Sequence, residues 1–242
     1  MAVSRVVPRT IYGVNSFCPG CGHGIVARLI AEVLEEMELE TRAICSQAVG
    51  CSCLVARCLG LDMLQAAHGR ASVTAAGIKR ARPECFVFSY QGDGDAGAIG
   101  VAETVYSAQR NEKFTQIIIN NGIYGMTGGQ MSPATLPGQK ATTAPFGRDP
   151  EINGPPVNFL ALMEQFPVAY LARGSVHEPA EINKTRRYLK KAFAKQLAGE
   201  GFGCVEILSP CPTNWNMAPV KAMRHIGEAM VKYYPLGEVR GA

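Results

Sequence analysis

Arginine-rich tracts, dense aromatic patches and long apolar runs are all missing from this sequence, and each absence removes a class of function. Aromatics make up 7% of the 242 residues and no stretch concentrates arginine, so the footprint of a nucleic-acid-binding protein is absent. No run is long enough to span a bilayer, and the opening MAVSRVVPRTIYGVNSFCPG lacks the apolar centre of a secretory signal. The net charge is a modest +4, carried by scattered residues. These absences predict a cytoplasmic protein that engages neither nucleic acid nor membrane. Repeats and linkers are lacking too, so residues 1–242 read as a single domain. What the chain does have is 47% hydrophobic residues, enough for one sizeable α/β core, and nine cysteines. Cysteines without an export signal point to a reducing compartment, where they serve metal or redox chemistry more often than disulfides.

Alternation of periods sets the fold. Residues 23–37, HGIVARLIAEVLEEM, carry apolar side chains at helical spacing; RAICSQ is a short strand, followed by the turn AVGCSC. GRASVTAAGIKRARP reads as a small-residue helix stopped by Pro83. CFVFSY and FTQIIINN are uninterrupted apolar strands of the parallel-sheet kind, joined by the helix AIGVAETVYSAQRN. Residues 125–156 lose all regular pattern; a loop of that length inside a compact domain is functional or disordered. NFLALMEQF, VAYLARGS, AEINKTRRYLKKAFAKQL and GCVEILS then resume helix, strand, helix, strand, and the tail after Pro210 reads as irregular. The expectation is one doubly wound, mostly parallel α/β sheet.

The turn YQGDGDAGAIG places Gly92, Gly94 and Gly97 in G-x-G-x-x-G. A dinucleotide site would need an acidic residue at the end of the next strand, to hold a ribose hydroxyl. FTQIIINN ends instead in Asn120 and Asn121. Asp93 and Asp95 would also repel a bare pyrophosphate. A cation removes the conflict: Asp93 and the Asn121 amide oxygen fall at neighbouring strand tips, within reach of one magnesium ion. The Ile123 carbonyl offers a third oxygen, and the helix start after Gly97 adds partial positive charge. G-D-G followed by N-N at this spacing resembles the thiamine diphosphate motif.

Cys18 and Cys21 form a C-x-x-C, whose spacing suits zinc, a redox dithiol or an iron–sulfur cluster. Cys51 or Cys53, and Cys211 before a proline, are the candidates to complete a ligand set; spacing does not choose between Cys51 and Cys53. Cys45, Cys58, Cys85 and Cys204 read as core. His177 and His225 read as surface residues, and the basic run of residues 184–195 as a solvated helix face.

Taken together, CPGCGHG, GCS, QAAHGRA with GIK, GDGD, NNGIYGMTGGQ and SPCPTNW follow the order seen in 2-oxoacid:ferredoxin oxidoreductase β subunits. The resemblance runs from Phe17 to about Asn216, and its wording is most similar to the branched-chain, 2-oxoisovalerate branch. It implies a thiamine diphosphate-binding domain. Its [4Fe-4S] ligands would be Cys18, Cys21, Cys51 and Cys211, from residues 17–53 and 209–216. It places magnesium on Asp93, Asn121 and the Ile123 carbonyl. Contacts to the diphosphate and thiazolium fall on Gly50, Cys51, Ser52, His68, Gly94, Asp95, Gly125 and Met126, with residues 125–156 as a lid or subunit-contact loop. His68 is the histidine expected in the catalytic site, and His23 could support a cluster sulfur.

The implied reaction is oxidative decarboxylation of a 2-oxoacid to acyl-CoA and CO2, with electrons passed to ferredoxin. Thiamine enzymes also need a pyrimidine-binding domain carrying a glutamate, which implies an α subunit; γ and ferredoxin-like δ subunits are expected with it. One departure bears on substrate. Where some relatives have glycine and lysine after G-C-S, this chain has Cys53 and Leu54, which suits an aliphatic side chain better than a second carboxylate. The alternatives are a 2-oxoglutarate or pyruvate enzyme, or a non-oxidative thiamine-dependent decarboxylase or synthase subunit.

Overall fold

The computed structural model describes residues 6–241. Helix α1 (His23–Glu36) comes first, with Val26, Leu29, Ile30, Val33 and Leu34 forming its buried stripe. Strand β1 (Ala43–Gln47) and the 3-10 turn Cys51–Arg57 lead to the edge strand β2 (Asp62–Gln65) and helix α2 (Ala71–Ala81). Next come β3 (Phe86–Gly92), a π-helical turn Asp95–Ile99 running into α3 (Val101–Gln109), and β4 (Thr115–Asn120). A small antiparallel pair, β5 (Ile123–Tyr124) and β6 (Gln130–Met131), precedes α4 (Pro150–Asn153) and α5 (Phe159–Glu164). The chain ends with β7 (Tyr170–Ser175), α6 (Pro179–Leu197), β8 (Gly203–Leu208), α7 (Pro219–His225), α8 (Val231–Tyr233) and β9 (Gly237–Arg240).

Seven strands form one sheet in the order β2-β1-β3-β4-β8-β7-β9, parallel throughout except for β9. Because side chains alternate along a strand, each strand feeds two cores. Phe86, Phe88, Tyr90, Ile117 and Ile119 pack with α1 and α6, while Val87 and Ile118 pack with α2, α5 and the C-terminal segment. The predicted doubly wound sheet is therefore the observed one. From β1 the chain moves outward to β2 and returns across to β3 and β4. That reversal opens a crevice at the carboxyl ends of β1, β3 and β4, the place where such folds bind ligands.

Two expectations fail. The tail after Pro210 is not irregular: α7, a π-helical turn Ile226–Met230, α8 and β9 occupy it. Pro219 opens the helix at a position where its missing N–H costs nothing. Ala222, Ile226, Met230 and Tyr234 then recur every four residues and bury one face, anchored by the Tyr234 hydroxyl donating to the Ala134 carbonyl at 3.1 Å. Nor are His177 and His225 surface residues. Both are half-buried: His177 Nδ1 pairs with Ser175 Oγ at 2.8 Å, and His225 packs edge-on against Trp215. The basic face of α6 is spent inside the chain, Lys190 on Glu36 and Lys191 on Glu238. Cys45, Cys58, Cys85 and Cys204 are buried as expected.

Residues 125–156 have little regular structure, yet they are tied down. The buried Arg148 guanidinium donates to the carbonyls of Ser132, Pro133, Thr135, Asn153, Gly154 and Pro155 at 2.9–3.3 Å. One cation thus does for this loop what a hydrogen-bond ladder does for a strand.

Candidate functional site

All the strand-tip motifs meet in one cleft of about 110 Å³. Its walls are Gly50, Cys51 and Ser52 after β1, His68 after β2, Asp93, Gly94 and Asp95 after β3, and Asn121, Ile123, Gly125 and Met126 after β4. Gly92 of the same motif lies there too, and His23, Val49, Tyr124 and Thr127, which were not expected against the cofactor, complete it. A larger groove of about 720 Å³ between the N-terminal segment, α1 and α6 carries none of these residues.

The glycines of the β3 turn are there for close approach. A methyl group on Gly94 would fall 2.2 Å from the Tyr124 ring, and one on Gly97 would fall 1.9 Å from Phe159 of α5. Gly50 has a φ of +100°, which lets the chain leave β1 and turn at once into the Cys51 helix.

Asp93 is 3% exposed, and Gly94, Gly122 and Ser132 supply donors to its oxygens. Gly94 N–H donates to Oδ1 at 2.9 Å, and the Ser132 hydroxyl donates to Oδ2 at 2.7 Å. Burial outweighs these bonds and pushes the carboxyl up to about 7. A buried acid of this kind fits a cation partner. Asn121, on the adjacent strand tip, turns its Oδ1 back to accept from Ile123 N–H at 3.1 Å, and its carbonyl accepts from Trp215 Nε1 at 3.1 Å. Asn120 is spent on structure: Nδ2 donates to the buried Glu206 at 2.7 Å and Oδ1 accepts from Gly122 N–H. Ser132 was not foreseen; nothing in the sequence ties it to an acid 39 residues away.

Asp95 has a different task. Its Oδ1 accepts from His68 Nδ1 at 2.5 Å and from Gly69 N–H at 2.7 Å, and its Oδ2 accepts from Gln91 Nε2 at 2.8 Å. The carboxylate therefore holds the His68 ring and leaves Nε2 for a ligand. His23, fully buried, pairs through Nδ1 with the Tyr90 hydroxyl at 2.7 Å and stacks on Phe17. Burial drops it to about 4, so the ring is neutral.

Four thiols gather against the same cleft. Gly20 and Gly22 let the C-x-x-C loop press onto the chain end: a methyl on Gly20 would meet Pro219 at 2.5 Å, and one on Gly22 would meet Ser209 at 2.4 Å. That contact carries Cys18 and Cys21 to Cys211. Cys51 and Cys211 flank Gly125, where an added methyl would lie 3.3 Å and 3.6 Å from their sulfurs. Cys53 is not among the nearest neighbours of that position, although its thiol lies near enough to Cys51 to raise it. Burial first, and then the proximity of Cys211, Cys51 and Cys18, raises Cys21 to about 12; burial, and then Cys211, Cys18 and Cys53, raises Cys51 to about 11. Clustered thiols that resist ionisation suit a cation that displaces their protons. Among the described residues, no three Cys, His, Asp or Glu side chains converge on a point that would hold a single metal ion.

Among the described residues no helix is long and apolar enough to cross a membrane. Residues 48–207 match the family described as thiamine pyrophosphate enzyme, C-terminal TPP binding domain. Ketoisovalerate oxidoreductase subunit VorA of Methanothermobacter thermautotrophicus is 42% identical over 226 residues, covering 93% of this chain and 47% of that protein. 2-Oxoglutarate synthase subunit KorB of Archaeoglobus fulgidus is 35% identical over 213 residues, covering 88% and 75%. A solved 2-oxoglutarate:ferredoxin oxidoreductase from Magnetococcus marinus, with 2-oxoglutarate, coenzyme A and succinyl-CoA bound, matches with a TM-score of 0.72 at 30% identity. It covers 88% of this chain and 70% of that one. The chain spans about half the length of the VorA proteins it matches. Parallel strands whose tips bring G-D-G, N-N and clustered thiols together, with these likenesses, make the chain a member of the thiamine diphosphate-binding subunits of the 2-oxoacid:ferredoxin oxidoreductase family.

Proposed function

We propose that this chain binds magnesium and thiamine diphosphate at the tips of β3 and β4, with a [4Fe-4S] cluster beside them. In this reading it is the β subunit of an oxidoreductase that converts a branched-chain 2-oxoacid and coenzyme A to acyl-CoA and CO2, passing electrons to ferredoxin. The observation that carries the reading is Gly125, one residue that lines the cofactor cleft and also lies against two of the clustered sulfurs. Asp93, Asn121 and the Ile123 carbonyl would hold the ion, with Ser132 orienting the acid. Gly50, Ser52, Gly94 and Met126 shape the bed for the diphosphate and thiazolium. His68, steered by Asp95, presents one ring nitrogen that can hold or move a proton at the reacting end. Thiamine diphosphate, when bound, supplies the carbon nucleophile that 2-oxoacid cleavage requires. Cys18, Cys21, Cys51 and Cys211 would hold the cluster, which takes up electrons singly.

The cleft supports a shared site. At about 110 Å³ it falls short of the ~300–1,000 Å³ of ordinary small-molecule sites, which fits a second chain closing over it. That chain is an α subunit bearing the pyrimidine domain; γ and ferredoxin-like δ subunits complete the complex. Residues 125–156, stapled by Arg148, serve as the rigid floor and contact loop of this interface. The branched-chain assignment rests on the ketoisovalerate relative and on Leu54, an apolar side chain two residues beyond Ser52 of the cleft.

The test is anaerobic purification of the chain with its partners, analysis for iron, magnesium and thiamine, and a panel of 2-oxoacids with coenzyme A and a viologen acceptor. Highest kcat/KM on 2-oxoisovalerate is expected. Preference for 2-oxoglutarate or pyruvate would move the complex to another branch. An iron-free complex that decarboxylates without an acceptor would replace the oxidative reading by a non-oxidative one.

A further inference from the structure

The segment that delivers Cys211 does more than supply a sulfur. Trp215 N–H closes a helical turn onto the Cys211 carbonyl at 3.0 Å, and that turn aims Asn214 inward. The Asn214 side-chain nitrogen has two acceptors: the Gly125 carbonyl at 3.0 Å and Cys211 Sγ at 3.5 Å. Two acceptors around one atom fix the amide orientation, since the oxygen end in that place would face an oxygen and a thiolate. The oxygen end instead packs toward Gly129, where an added methyl would lie 3.0 Å away. Asn214 backbone N–H reaches the same sulfur. Cys211 therefore receives two N–H donors from a single residue while being only 8% exposed, so water contributes little to its hydrogen bonding.

We propose that Asn214 is a positioning residue that sets the reduction potential of the cluster, and that it does so through the Cys211 sulfur. Hydrogen bonds to a ligating sulfur draw electron density from it and favour the reduced, more negative cluster. In a water-poor corner each such bond counts for more than it does in solvent. The same amide ties that sulfur to Gly125 on the cofactor side, so the donor and acceptor ends of the electron path are held by one side chain. The inference rests on the cluster reading given under Proposed function.

The complex purified anaerobically with its partner chains provides the test, using iron analysis and a redox titration followed by low-temperature electron paramagnetic resonance. In the wild type, absence of iron would refute the cluster reading itself, whatever the variants do. With iron present, Asn214→Leu, which keeps the size and removes the donor, is expected to retain the iron and shift the midpoint to a more negative potential. Asn214→Asp, which puts a carboxylate beside the thiolate, should shift it further in the same direction. Thiamine diphosphate content should be unchanged in both. An Asn214→Leu midpoint equal to wild type at full iron overturns the inference and leaves the cluster assignment standing. Loss of iron from both variants also overturns it, because Asn214 would then be holding the cluster in place and not tuning it.

Discussion

Removing the negative charge at Asp93 should make the metal-free protein more stable and, at the same time, useless for cofactor binding. The carboxyl is buried, and burial raises it from an ordinary 3.8 to about 7. Between about pH 4 and pH 7 the folded chain keeps a proton that the unfolded chain has lost, so stability falls as pH rises through that window. Each tenfold change in proton affinity is worth about 1.4 kcal/mol, which puts the full cost above pH 7 on the order of 4 kcal/mol. Asp93→Asn avoids that cost. It also keeps the local bonds, since the amide oxygen can accept from Gly94 N–H while the Ser132 hydroxyl reverses to accept from the amide nitrogen. Thermal melts of the chelator-treated complex should show the variant clearly more stable than wild type at pH 8.5 and little different at pH 4.5. Calorimetry with magnesium and thiamine diphosphate should show binding lost in the variant with iron content intact. For wild type, magnesium affinity should fall about tenfold for each pH step below 7, where the ion must displace a proton, and level off above it. Equal melting differences at both pH values, or magnesium-dependent cofactor binding by the variant, would refute the reasoning.

Other substitutions probe the remaining parts. Cys211→Ala should abolish the cluster's paramagnetic signal, whereas Cys204→Ala, a fully buried thiol in β8, should leave the signal in place and cost only packing. Arg148→Met leaves six carbonyls without their donor and should destabilise the chain by roughly 3 kcal/mol or more. Hydrogen exchange in that variant should accelerate across residues 132–155 before the central strands respond. His68→Ala should lower turnover by roughly 10²-fold or more with cofactor binding retained. Asp95→Asn should reproduce part of that loss, because the ring then faces a neutral amide where the carboxylate had held it; unchanged turnover in both variants would remove His68 from the chemistry.

The parallel core was legible because its strands are uninterrupted apolar runs and its turns carry glycines at fixed spacing. The cleft was legible for a related reason: ligands in such sheets gather at strand tips, so Asp93 and Asn121 could be paired from their places at the ends of two neighbouring strands. What stayed hidden depends on partners far away in the chain. Strand β2 is four residues long and largely exposed, so no apolar alternation marks it. The four-residue apolar recurrence of Ala222, Ile226, Met230 and Tyr234 is visible afterwards, but Gly227 and the polar residues between them weaken it. Ser132 on Asp93, Asp95 under His68, and Asn214 between Cys211 and Gly125 are side-chain contacts that no spacing rule encodes. Cys51 and Cys53 stand two apart in sequence, and only the turn set by Gly50 decides which sulfur faces Gly125.

Gly125 also links the parts of this corner. The turn after β1, the loop after β5 and the chain end around Cys211 meet there, with Cys51, Asn214 and Cys211 all within 3.6 Å of the place a methyl on Gly125 would take. Movement of the Cys211 turn is therefore passed on, through Gly125, to the wall of the cleft.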